Sequence, residues 1–272
     1  MRLAGVESPQ LDAQLLLAQA LGADRSALLS RLPEPVPAEA EHIYHGLLRR
    51  RLDREPLAYI SGVREFYGRT FEVTPDVLIP RPETELLVER ALSEEAGAHA
   101  VAVDVGTGSG CIAITLALEA PGWEVYATDT SESALTLARS NARRHGVESR
   151  VSFLLGSLLE PVPRRADLVL ANLPYVPSHD IEELQPEVRV WEPRAALDGG
   201  EDGLDLVRAL LAQLPERTTP EGVCLLEIDP RQFPALEQAT ARLLPGWRFA
   251  RWQDLSGRDR VAELRRRFTS SS

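Results

Sequence analysis

An apolar run, Ala100-Val101-Ala102-Val103, passes through Asp104-Val105 into Gly106-Thr107-Gly108-Ser109-Gly110 and then directly into a second apolar run from Cys111 to Leu118. No other feature narrows the possible folds so far. The first run is short and valine-rich, as a strand buried on both faces is. The second is long enough for a buried helix, and the glycines between them permit the positive φ angles of a tight strand-to-helix turn. Such units repeat down the chain: Glu124 to Thr128, Arg150 to Leu155, Asp167 to Ala171 and Val223 to Ile228 read as further strands with helical stretches between them. This alternation requires a mainly parallel sheet with helices on both faces, a doubly wound α/β domain. Trp247 to Trp252 and Arg260 to Leu264 lie close enough to pair as a late antiparallel hairpin.

A glycine turn at the end of a first strand is a nucleotide-type cofactor loop. Asp129 closes the second strand about twenty residues further on, the offset at which a carboxylate accepts the ribose hydroxyls of an adenosine. Dinucleotides and S-adenosyl-L-methionine both offer that ribose. The spacing is G-x-G-x-G, not G-x-G-x-x-G, and Asp104 in front of it is expected to repel a diphosphate and to suit a sulfonium cation with an ammonium tail. Gly106, Thr107, Gly108, Ser109, Gly110 and Asp129 are the cofactor-binding candidates, with a side chain at any of the glycines filling the ligand's space.

Behind the strand Asp167 to Ala171 stands Asn172-Leu173-Pro174-Tyr175. By itself this is equally an ordinary strand-to-loop turn. Pro174 biases Leu173 towards an extended conformation, so that the Asn172 side-chain oxygen and the Leu173 carbonyl are expected to face one planar NH2 group, with Tyr175 packed against it. Ligands in open α/β sheets sit at the carboxyl ends of the strands near the point where strand order reverses. The glycine loop, Asp129 and Asn172 are therefore expected in one crevice, in the order a methyltransferase needs.

These residues resemble the peptide-chain release factor glutamine N5-methyltransferases of the HemK/PrmC type, and the resemblance covers nearly the whole chain. It also rests on Glu65-Phe66-Tyr67-Gly68, on Leu78-Ile79-Pro80-Arg81-Pro82-Glu83-Thr84-Glu85, and on Glu192-Pro193-Arg194 running to Asp198-Gly199-Gly200-Glu201-Asp202-Gly203. It implies a doubly wound class I S-adenosylmethionine-dependent methyltransferase sheet over residues 76–272. A small N-terminal helical domain over residues 1–61, which binds release factors, is joined to it by a β-hairpin over residues 62–75. The implied reaction is N5-methylation of the glutamine in the Gly-Gly-Gln motif of class 1 release factors, with S-adenosyl-L-methionine as cofactor. Asn172 and Tyr175 are then the catalytic candidates, and Asn172, Leu173, Pro174 and Tyr175 bind substrate. Leu158 and Asn172 join the cofactor set, Leu158 by position alone. The family tetrapeptide is usually Asn-Pro-Pro-Tyr, and Leu173 in place of its first proline implies less preorganisation with the carbonyl retained. Ser157 and Asp229 also depart from the family's pattern. Family members carry a longer segment ahead of the first helix, so a start further upstream is expected.

The helical region is expected to begin with Ser8 as N-cap, Pro9 in the first turn and Leu11, Leu15 and Ala18 on one face, ending at Gly22. A short helix is expected after Asp24, and another from about Pro37 to Leu52 with Ile43, Leu47 and Leu48 inward. A hairpin is expected around Gly68-Arg69 with Phe66, Tyr67 and Phe71 as its filling, and Thr269 to Ser272 as a frayed tail. Glu83 and Glu85 are expected to position Arg81, cap the following helix or hold the cofactor side of the cleft. The 272 residues, 44% hydrophobic, suffice for one substantial core and a small accessory domain. A net charge of −11 disfavours a protein that grips duplex DNA through many phosphates. Two cysteines in separate apolar runs and histidines outside any ligand spacing argue against a disulfide framework or a metal. No run suits a membrane helix or a signal peptide, so a cytoplasmic location is expected, with no membrane and no direct nucleic-acid partner. Two rival readings stay open here: an adenine-N6 nucleic-acid methyltransferase, whose target amine is planar like an amide, and a catalytically weakened cofactor-binding protein that docks on release factors.

Overall fold

The computed structural model describes residues 1, 4–31 and 33–266; the expected frayed tail, Thr269 to Ser272, lies outside them. The chain divides into two units, Met1–Val63 with Leu184–Trp191, and 64–183 with Glu192 onward.

In the first unit the helices are α1 (Pro9–Ala20), α2 (Arg25–Ser30), α3 (Ala38–Leu52) and α4 (Leu57–Ser61). Asp24 caps α2 through its side chain, which accepts from the Ala27 amide, whereas Ser8 precedes α1 without a side-chain cap. The inward faces differ from those expected. Ala18 is buried as expected and Leu15, Leu47 and Leu48 are half-buried, but Leu11 and Ile43 are exposed, and α1 also buries Asp12 and Leu16. Asp12 turns inward because Arg51 of α3, only 6% exposed, donates to it at 2.8 Å. Arg51 also donates to the Glu55 carbonyl and to Glu187, which Arg54 grips as well. Apolar periodicity misplaced Leu11 and Ile43 and missed Asp12 because a buried ion pair occupies part of the interface.

The second unit opens with a hairpin, β1 (Val63–Phe66) and β2 (Arg69–Glu72), followed by α5 (Glu85–Leu92). Its turn is Tyr67-Gly68, with φ of 52° and 68°, one residue earlier than the sequence suggests. Phe66 and Phe71 fill its inner face edge to face, 6.1 Å apart, while Tyr67 remains half-buried at the tip.

Then follow β3 (Val101–Val105), α6 (Cys111–Glu119), β4 (Glu124–Asp129), α7 (Glu132–Arg144), β5 (Val151–Leu155) and β6 (Ala166–Ala171). After the short α8 (Pro186–Arg189) of the first unit come α9 (Asp205–Arg217), β7 (Thr218–Glu227), α10 (Phe233–Leu243), β8 (Trp247–Gln253) and β9 (Asp259–Arg266). The large sheet runs β5-β4-β3-β6-β7-β9-β8. The pairings from β5 to β7 are parallel, and β9 is antiparallel to both of its neighbours. Side chains alternate between two cores, as strand geometry requires. Val101, Val103 and Val105 join Val169, Leu210 and Phe233 on one face, and Ala102, Leu168, Leu170 and Leu225 join Leu87, Ile114 and Leu116 on the other.

Strand order reverses beside β3, where β4 lies on one side and β6 on the other. The register places Val105 opposite Thr128 and opposite Ala171, and Ala171 opposite Leu226. The residues that follow, Gly106, Asp129, Asn172 and Glu227, therefore leave the sheet at one level.

Candidate active site

The glycine turn after β3 is built by backbone geometry. Gly106, Gly108 and Gly110 have φ of 74°, 55° and 82°, a region that side chains disfavour. The amides of Gly106 and Thr107 both donate to the Thr128 carbonyl at 2.9 Å, which curls the turn over the end of β4. Sterically the three glycines differ. A Cβ on Gly110 would lie 2.9 Å from Ile114 Cδ1 and 3.0 Å from Ala138 Cβ, so the packing of α6 on α7 requires a glycine here. A Cβ on Gly106 would meet Leu173 Cδ2 at 3.2 Å, and one on Gly108 would meet nothing nearer than Val77 at 4.0 Å. Both line a cavity of about 410 Å³. Asn141 of α7, fully buried, ties the turn to the hairpin by donating to the carbonyls of Ser109 and Glu72.

Asp104 does not face the ligand space as the sequence suggests. It is fully buried, and its Oδ2 accepts from the Thr107 hydroxyl at 2.6 Å and from the Ala113 amide at 3.1 Å. It joins the turn to the start of α6 from behind. Burial pushes its pKa up to about 7, with the neighbouring Asp129 charge adding to the rise.

Asp129 lines the cavity. Its Oδ2 accepts from the Gly108 amide at 3.0 Å and its Oδ1 from the Ser131 amide at 2.9 Å. A carboxylate has about four lone-pair sites, so both oxygens keep acceptor capacity towards the cavity. Gly156, Ser157 and Leu158 form another wall. Leu158 has φ of 50°, and its carbonyl accepts from the Thr128 hydroxyl at 2.8 Å.

Asn172, Leu173 and Pro174 line the cavity too. The Asn172 amide nitrogen donates to Thr84 Oγ1 at 3.0 Å, which leaves Oδ1 as the acceptor on the other side of the carboxamide. Leu173 is 5% exposed and packs into the core over Gly106. The missing proline is thus replaced by an apolar anchor on the glycine turn. Tyr175 is not among the residues lining the cavity. Its hydroxyl lies 3.5 Å from Glu227 Oε1, and its carbonyl accepts from Gln232 at 2.8 Å. Burial and the Glu227 charge raise its pKa.

The segment Arg81 to Glu85 acts as a hub, and it does so differently from the expectation. Arg81 pairs with Glu192, not with Glu83 or Glu85, and Glu192 also accepts from the Ile79 amide. Glu85 accepts from the Tyr67 amide at 2.8 Å, so it holds the hairpin turn. Thr84, 2% exposed, faces Asn172 and Glu227. Each of these residues reaches another stretch that carried the resemblance. Thr84, Glu192 and Glu227 were not singled out as site residues. The available signal for Glu227 was a carboxylate closing the apolar run from Val223 to Leu226. Among the described residues no cluster of His, Cys, Asp and Glu suits a metal, and no helix is long and apolar enough to cross a membrane.

Residues 1–62 match the family model of the PrmC N-terminal domain, and residues 82–189 match that of the methyltransferase small domain. A release factor glutamine methyltransferase of Geobacter sulfurreducens is 48% identical over 225 residues, covering 82% of this chain and 78% of its own. One from Cereibacter sphaeroides is 43% identical, covering 96% and 93%. Among solved structures, ribosomal protein L11 methylase from Lactobacillus delbrueckii superposes with a TM-score of 0.50 at 25% identity, covering 69% of this chain and 78% of its own. The Thermus thermophilus 16S rRNA N2 G1207 methyltransferase, solved with AdoMet and guanosine, gives 0.55 at 19% identity over 75% and 50%, a likeness of fold.

Proposed function

The chain belongs to the release factor glutamine methyltransferases and is a protein-glutamine methyltransferase; on that premise we propose that it uses S-adenosyl-L-methionine to methylate N5 of the glutamine in the Gly-Gly-Gln motif of class 1 release factors. The observation that carries this reading is the juxtaposition of Asn172 with the glycine turn and Asp129 around one cavity.

The cavity suits the cofactor in size and lining: about 410 Å³ lies within the range of small-molecule sites. Space opens beyond the α carbon of Gly108, and Asp129 offers acceptors beside it. Asp129 would hold the ribose hydroxyls. Gly106, Thr107, Gly108, Ser109 and Gly110 would shape the cradle, with Leu158 beside the adenine. When bound, S-adenosyl-L-methionine supplies an electrophilic methyl group on a sulfonium.

The chain's own task is to make a poor nucleophile competent. A carboxamide nitrogen delocalises its lone pair and has no useful basicity. Oδ1 of Asn172 and the carbonyl of Leu173 accept its two N–H bonds and fix its plane and position. Both acceptors strengthen their hold as positive charge develops on the nitrogen, so they favour the transition state over the ground state. The proton then becomes strongly acidic and leaves to water or a backbone carbonyl, without a general base. Tyr175 stiffens the turn from behind through Gln232 and Glu227. The helical unit docks the release factor, the reaction takes place in the cytoplasm, and no nucleic acid takes part.

Titration calorimetry with S-adenosyl-L-methionine tests the cofactor assignment. Saturable binding in the wild type that weakens at least tenfold in Asp129→Ala, as loss of charge-assisted hydrogen bonds requires, is the expected result. Equal binding in both proteins would overturn the placement of the ribose.

A further inference from the structure

We propose that Glu192 is a positioning residue that closes a collar of three short stretches around the acceptor end of the cavity, and that this collar sets the opening through which the substrate glutamine reaches the methyl group; this rests on the glutamine methyltransferase reading above. Each stretch lines the cavity: Pro80 and Thr84 belong to the first, Asn172 and Pro174 to the second, Pro193 and Ala196 to the third. Three links join them end to end. The Asn172 NH2 donates to Thr84 Oγ1 at 3.0 Å. The Val176 amide donates to the Leu197 carbonyl and the Gly199 amide to the Val176 carbonyl, both at 2.9 Å. Glu192 makes the third link, its Oε1 accepting from Arg81 at 2.5 Å and its Oε2 from the Ile79 amide at 3.3 Å. The chain itself, over residues 79–84, 172–176 and 192–199, runs from each link to the next, and the ring is closed.

Glu192 is the joint made by a charge. An exposed ion pair would hold little, but the Glu192 side chain is only 1% exposed. A carboxylate withdrawn from water needs partners to remain charged, and here each oxygen has one. Burial raises its pKa, and the Arg81 charge opposes the rise. Between the joints the stretches are stiff, because Pro80, Pro174 and Pro193 fix φ near about −65°. The width of the collar therefore depends on its joints. Prolines and Ala196 beside the Asn172 carboxamide suit a slender, unbranched side chain that ends in an amide.

The same joint ties the collar to the cofactor cradle. Val77, two residues before Ile79, is the nearest neighbour of the space beyond Gly108, whose amide donates to Asp129. Thr84, three residues after Arg81, holds Asn172. The stretch from Val77 to Thr84 thus runs from the cradle to the acceptor, with Glu192 fixing its middle. Releasing Glu192 loosens the distance between the two groups that methyl transfer must bring together, while the groups themselves remain.

The test uses the full-length protein and an intact release factor. Glu192→Leu removes both acceptors at similar volume, and Arg81→Met removes the charged partner from a half-buried position where the fold tolerates it. Each is expected to lower kcat by about 10–100-fold, the scale of a misplaced reacting group, with KM for the release factor and the Kd of S-adenosyl-L-methionine within about twofold of wild type. Arg81→Lys, which keeps the charge, should restore most of the rate lost in Arg81→Met. Amide hydrogen exchange gives a readout independent of turnover: the Ile79 amide should be protected in wild type and Arg81→Lys and unprotected in Glu192→Leu. If Glu192→Leu does not fold, the two Arg81 variants decide the kinetic question. An unchanged kcat in Arg81→Met would overturn the inference, and so would a loss confined to KM and Kd, which would mark a packing role. A wild type without activity on release factors would remove the functional reading, whereas an Ile79 amide still protected in Glu192→Leu would overturn the collar itself.

Discussion

Asn172 is distinguished from any other strand-end asparagine by what its amide touches: a buried hydroxyl on one side and a cavity on the other. Asn172→Ala removes the acceptor and is expected to lower kcat by about 10²–10³-fold, the range for losing one preorganised hydrogen-bonding group; single-turnover methylation rates check this. Leu173 has a structural duty of its own, since its side chain seals the core above Gly106. The glycines differ in their steric surroundings in a way that spacing alone did not reveal. Gly110→Ala combines a φ of 82° with contacts of 2.9 and 3.0 Å to Ile114 and Ala138, so it should destabilise the fold by about 1–3 kcal/mol in urea unfolding. Asp104 was legible as a residue of the turn but not as its buried brace, because a strand-end carboxylate reads the same in sequence whether it faces a ligand or its own loop.

The turn between β3 and α6 carries a pH dependence of its own. Asp104 has its pKa raised from 3.8 to about 7, first by burial. A carboxyl whose folded pKa lies above its unfolded one contributes stability that is complete below 3.8 and is lost as pH rises through about 7. Asp104→Asn retains an acceptor for Thr107 and Ala113 and adds a donor where Oδ1 has no partner. It should flatten that decline, which urea midpoints measured across this pH interval will show. At α1 and α3 the governing interaction is the Asp12–Arg51 pair with Glu187. Asp12→Ala leaves a buried guanidinium with one acceptor fewer and is expected to destabilise the helical unit by about 3–5 kcal/mol, read as an early unfolding transition in calorimetry. Helix positions were legible from caps and breakers, and the buried faces only in part: Ala18 is inward, Leu11 and Ile43 are not. Periodicity counts apolar residues and has no term for an ion pair that replaces them at an interface.

Across the whole chain, the parallel sheet and the convergence of Gly106, Asp129 and Asn172 were legible because strand ends follow from glycine turns and register follows from doubly wound topology. The links between distant segments were not legible. Arg81 to Glu192, Thr84 to Asn172 and Arg51 to Glu187 span more than 80 positions each, and no local pattern encodes which partner a buried polar residue will meet. Through these links the residues from Arg81 to Glu85 fasten the hairpin, the Asn172 turn and the segment at Glu192 to one short turn. The central claim is that this assembly methylates a release-factor glutamine. The most direct measurement is mass spectrometry of an intact class 1 release factor after incubation with the enzyme and S-adenosyl-L-methionine, with Asn172→Ala and a release factor lacking the Gly-Gly-Gln glutamine as controls. A single added methyl group on that glutamine, absent from both controls, is the predicted result. A release factor that stays unmodified while the cofactor binds, or a methyl group placed on another residue, would contradict the account.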